Sequence, residues 1–178
     1  MNNFLWGFFL IYIHFNLNLG SHTFELLPDF LGYMRIRDGA GELEAESSRF
    51  RDCRAVSRVL VIYSLILWIV NALGGPISGS MALLASLAEM IGRLYVGWAA
   101  ISGIREMEVN RGLDLNGQKL YGSWVAMAAT QAVSTVLAML GVDEGGLHLL
   151  LIVMWFIAMI LFLRNLWTAK KGYEAVTG

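Results

Sequence analysis

Charge is what this chain has least of. Of its 178 residues, 15% are Asp, Glu, Lys or Arg, whereas a soluble domain of this size carries about 25%. That shortfall argues against an ordinary water-soluble globule. The 13 Lys+Arg against 14 Asp+Glu give a net charge of −1, so no basic footprint for nucleic acid is present. A single cysteine, Cys53, excludes an internal disulfide framework and a cysteine-rich metal site. His14, His22 and His148 do not form metal-ligand spacing with one another or with carboxylates. No H-E-x-x-H, Walker A loop or G-x-S-x-G occurs. No metal or cofactor is therefore expected.

What remains is apolar: 57% of residues are hydrophobic and the mean hydropathy is +0.58. Residues 1–24, 59–88, 120–142 and 145–163 contain no charged side chain. A charge at mid-depth in hydrocarbon costs at least about 2.5 kcal/mol, so such stretches read as membrane spans. Gly74-Gly75-Pro76 interrupts the second and reads as a turn between two helices.

The expected fold class is all-α, a polytopic transmembrane helical bundle with four full spans and a short N-terminal helical hairpin. One membrane domain is expected over 1–178. The hairpin occupies 1–38: a first helix over Phe4–Asn16, a polar turn Asn18–Ser21, and a short segment Phe24–Ile36. That segment is expected to pack against the spans containing Gly92 and Thr130, with Gly32 at a close contact, and helix continuing past Asp38 would carry it out to the cytoplasm. A charged amphipathic stretch, 39–58, follows. Its Leu43, Phe50, Cys53, Val56 and Leu60 recur on one face with Arg51 and Arg54 off it. The spans are expected at 56–73, 81–104, 120–141 and 147–163, with a cytoplasmic tail at 164–178. No segment of strand period is read. The apolar N-terminus lacks a preceding cation and an A-x-A-type site, so it is kept as structure rather than a cleaved signal.

Lys and Arg set the orientation. Arg35, Arg37, Arg49, Arg51 and Arg54 precede the first full span and Arg58 lies at its start. Arg105, Arg111 and Lys119 lie two spans on, and Arg164, Lys170 and Lys171 follow the last. The loops near Gly75 and Asp143 carry no cation. This alternation places the C-terminus in the cytoplasm of a multi-pass cell-membrane protein. Trp68, Tyr121, Trp124, Trp167 and Tyr173 fall near span ends, where amphipathic rings favour the headgroup layer.

The run Phe24-Glu25-Leu26-Leu27-Pro28-Asp29-Phe30-Leu31-Gly32-Tyr33, and Gly103–Glu108 followed by Gly112–Leu115, resemble segments of a group of small bacterial integral membrane proteins. That group is common in Gram-positive bacteria and carries an N-terminal "LPDF-x-GY" motif. The resemblance implies architecture and no chemistry. The chain departs from the pattern after Tyr33, where Arg35, Arg37 and Asp38 stand in place of an apolar run.

Two sets of residues are candidates for chemistry. Glu89 and Arg93 are the full charges inside a predicted span, four apart and so on one helix face. They read as a structural ion pair fixing helix packing, as a snorkelling Arg93, or as an ion or substrate contact. Asn71 and the stripe Thr130, Ser134 join them as polar candidates, though hydroxyls and small residues serve helix packing equally well. The motif carboxylates Glu25 and Asp29, with His22, read as a helix start or as a carboxylate site. Partners are the lipid bilayer and, left open, a second copy or another membrane protein. The leading expectation is a non-enzymatic accessory, assembly or sensing component. A small-solute or ion transporter comes second, recognisable by a cavity reaching Glu89, and an intramembrane enzyme third.

Overall fold

A computed structural model describes residues 1–13, 16–19, 22–25, 28–73, 79–142 and 145–177. Among them are helices α1 (Asn2–Tyr12), α2 (Asp29–Glu42), α3 (Ser48–Ala72), α4 (Gly79–Arg111), α5 (Gly117–Met139) and α6 (Gly145–Thr177). Strands β1 (Asn16–Leu19) and β2 (His22–Glu25) pair between α1 and α2. The chain is helical in class, and α3, α4 and α6 are long and apolar enough to cross a membrane. The expectation was four such helices. The fourth, α5, interleaves Gly122, Ser123, Thr130, Gln131, Ser134 and Thr135 among its apolar residues, which lowers its hydropathy.

Two compact units make up the chain, Met1–Met107 and Glu108–Gly178. In the first, α1 and α2 run antiparallel. Phe4 lies against Gly39, and Gly7 against Gly32 and Ile36. A Cβ on Gly7 would stand 2.9 Å from the Gly32 carbonyl oxygen, and one on Gly32 would stand 2.9 Å from that of Gly7. Two glycines thus let the helix backbones touch, as small residues do in membrane helix pairs. The Phe4 ring reaches past α2 to Phe50 on α3, with 5.7 Å between centroids. Tyr33, Ile36 and Ala40 of α2 are fully buried.

The N-terminal region differs from the sequence expectation in three ways. A β-ribbon stands where a turn within helical segments was read, with Asn16 opposite Glu25 and Leu19 opposite His22. The second helix starts at Asp29 rather than near Phe24, because Pro28 is held extended (φ −69°, ψ 136°) and opens the helix. Gly32 meets Gly7 and Ile11, not the helix carrying Gly92. The helix does continue past Asp38, to Glu42.

The amphipathic stretch and the span after it are one 25-residue helix, α3. Ser47 caps it, accepting from the Arg49 amide at 3.0 Å. Its buried face is Phe50, Cys53, Ser57, Leu60 and Ser64, alternating steps of three and four. Val56 lies off that face, half-buried, and Ser57 takes the inward position. This face meets α4 antiparallel: Phe50 against Gly103, Cys53 donating to the Val96 carbonyl, Leu60 against Gly92, and the Tyr63 hydroxyl donating to the Ala85 carbonyl at 2.7 Å.

In the second unit α5 and α6 form a helical hairpin. The Asn165 amide donates to the Lys119 carbonyl and to Ser123 Oγ, and Gly172 lies against Leu115. Glu108 Oε1 accepts from the Leu115 and Gly117 amides at 2.7 and 3.3 Å, so a carboxylate satisfies donors at the start of α5. The helix α6 runs on to Thr177, through the segment read as a tail, since nothing after Leu163 breaks it. The Gly74–Pro76 turn and the Asp143–Glu144 loop lie outside the described residues.

Candidate charged recess of the first unit

Arg93 turns inward rather than snorkelling. Its Nη2 lies 2.7 Å from Glu89 Oε1, one helical turn back on α4. The same nitrogen lies 3.3 Å from Asp29 Oδ2, on the first turn of α2. Asp29 is 7% exposed and the other two side chains 20%. The sequence placed Glu89 with Arg93 and placed Asp29 in a separate motif; the fold brings all three together. Two carboxylates against one guanidinium leave the cluster a formal negative charge.

Each charge has a local reason to be where it is. Asp29 sits at the N-terminal end of α2, where the helix dipole favours an anion. Glu89 and Arg93 share a face at i, i+4. The contacts of Tyr63 with Ala85, one turn before Glu89, and of Leu60 with Gly92, between Glu89 and Arg93, fix α3 against α4 at the pair.

Beside the cluster is a cavity of about 70 Å³, lined by Asp29, Ser64, Leu67, Trp68, Asn71 and Glu89. A water needs roughly 10–15 Å³ of such space, so the recess has room for a few waters or a small solute. Asn71 is exposed, one residue from the end of α3, and Ser64 is buried two turns earlier. The recess therefore runs inward from the C-terminal end of α3. The Ser64 hydroxyl donates back to the Leu60 carbonyl at 2.6 Å. Trp68 is steadied by an edge-to-face contact with Phe30, the residue after Asp29.

Tyr33 stands one turn beyond Asp29 on α2 and is fully buried. Burial pushes its phenol above the ordinary range, against the opposing pull of Arg93, so it stays a neutral hydroxyl. Arg93, Glu89 and Asp29 are the charges around that hydroxyl.

The other sequence candidates fall elsewhere. Thr130 is buried on α5 of the second unit, and its hydroxyl donates to the Ala126 and Met127 carbonyls of its own helix. Ser134 is half-buried one turn on. The backbone of Glu25 and His22 is in β2, and their side chains lie outside the described residues. Ser64, Trp68 and Tyr33 were not singled out as site residues by sequence. Trp68 was read only as an aromatic ring near a span end, and Ser64, two turns before Asn71, was not read at all. Among the described residues no group of three His, Cys, Asp or Glu is placed to hold a metal ion.

Among the described residues, the first unit thus combines membrane-capable helices with a charged, partly enclosed recess. No protein-family model, curated protein or solved structure matches the chain.

Proposed function

We propose that the chain is a polytopic membrane protein that admits a small polar or ionic solute to the Asp29–Glu89–Arg93 recess, as a transporter or channel. The observation that carries this reading is the cavity lined by Glu89, Asp29, Asn71 and Ser64. Ionisable groups at membrane depth are costly, and are kept where they serve an aqueous path or a ligand. An accessory role that docks a cytosolic partner would use the charged face of 42–58. Much of that face is engaged within the chain: Arg54 pairs with Glu44 at 2.5 Å, Arg49 with Glu106 at 3.2 Å, and the Ser47 hydroxyl donates to Glu106.

In this reading α5 crosses the membrane beside α6 as a fourth span. Its 23 residues give about 34 Å of helix, enough for a core about 30 Å thick. The Lys and Arg distribution puts the C-terminus in the cytoplasm and the α3–α4 turn outside, so the recess faces outward. The resemblance of the LPDF-x-GY segment to bacterial membrane proteins fits a cell-membrane location.

Reconstitution into liposomes tests this. The wild type should give saturable permeation of at least one solute from a panel of small ions, amines and polyols, and Glu89→Gln should abolish it. Permeation no greater than that of empty liposomes for the whole panel returns the accessory reading to first place.

A further inference from the structure

We propose that the recess is a site for the ammonium group of a small primary amine. The inference rests on the reading of the recess as a solute site and names its ligand class. The first ground is the chemistry of the lining. Asp29 and Glu89 carboxylates, the Ser64 lone pairs and the Asn71 amide oxygen are acceptors. A lining so rich in acceptors calls for a ligand rich in donors. An ammonium group supplies three N–H donors and the positive charge that the cluster is short of.

The second ground is the rest of the wall. The recess is also lined by Trp68 and Leu67. An inorganic cation would leave that apolar side unused, whereas an alkyl chain of two or three carbons covers it. An aromatic face beside a cation adds attraction.

The cluster also sets what the site refuses. Arg93 repels a second positive charge, so a divalent ion or a diamine is disfavoured. A carboxylate ligand would meet two like charges. A quaternary ammonium has no N–H to donate.

The test uses the full chain in detergent, so that it reads binding and not flux. Melting temperature and tryptophan fluorescence are followed against propylammonium, sodium, tetramethylammonium and propionate at fixed ionic strength. Propylammonium should stabilise saturably and the other three should not. Glu89→Gln should weaken binding at least tenfold. If that variant does not fold, Ser64→Ala, which removes one acceptor and no charge, should weaken it about threefold to tenfold, in line with one hydrogen bond of about 0.5–1.5 kcal/mol. Trp68→Phe should remove the fluorescence response. An equal effect of sodium, or none from propylammonium, overturns the proposal. A positive binding result with no liposome permeation would overturn the transport reading alone.

Discussion

Arg93 carries two carboxylates on one nitrogen, and its surroundings make that arrangement costly to disturb. Replacing Glu89 or Arg93 singly leaves uncompensated charge in a poorly hydrated place. Breaking a buried pair costs about 3–5 kcal/mol. With both side chains 20% exposed, Glu89→Gln or Arg93→Gln should cost somewhat less, about 2–4 kcal/mol. The double variant should cost less than the sum of the two, because the charge stranded by each single change is gone. Thermal melting of the four proteins in one detergent checks this, and additive or negligible losses would place the pair in solvent. At this scale the sequence showed a part of the site. Spacing alone paired Glu89 with Arg93. Asp29 could not be joined to them, since the contact spans 64 residues of chain and depends on how α2 lies against α4. The buried serines of α3 were hidden because a hydrophobicity pattern counts Ser57 and Ser64 as outward.

Helix crossing explains how the elements bring the site together. At the Gly7–Gly32 crossing the obstacle to a side chain is backbone, which cannot move aside without separating the helices. At Gly92 the obstacle is the end of Leu60, which can change rotamer. Gly32→Ala should therefore destabilise by about 1–3 kcal/mol, the usual cost of overpacking. It should also shift Asp29, one turn earlier, away from Arg93. Gly92→Ala should cost less than 1 kcal/mol by the same reasoning. Melting of the two variants side by side tests the difference, and equal losses would contradict the crossing. The helices themselves were legible from long uncharged stretches. The β-ribbon was not, although Gly20-Ser21 between two short runs is a recognised hairpin signal. Four residues a strand are too few for periodicity to show, and the apolar run before them favoured reading helix throughout. The joining of the amphipathic stretch to the next span into α3 was half-visible, since no breaker separates them.

At the scale of the whole molecule, the low charge content, the three long apolar helices and the alternation of Lys and Arg all follow from one solvent, the bilayer. Large apolar side chains such as Val59, Ile62, Ile66 and Leu150 stand exposed on these helices, at 54–65% of their full area. In water such a surface would drive aggregation; in lipid it is the expected outer face. The central claim is that α3 lies in the bilayer with one face on lipid and another on a wet, charged recess. Ile62 and Ser64 are two residues apart, about 3 Å in depth, and face opposite environments: Ile62 is 62% exposed and Ser64 lines the cavity. In a Cys53→Ala background, Ser64→Cys and Ile62→Cys should be treated with a water-soluble thiol reagent in membranes and after full denaturation. The account predicts that the cysteine at 64 reacts in membranes and the one at 62 reacts only when denatured. Labelling at 62 in intact membranes, or none at 64, would contradict it.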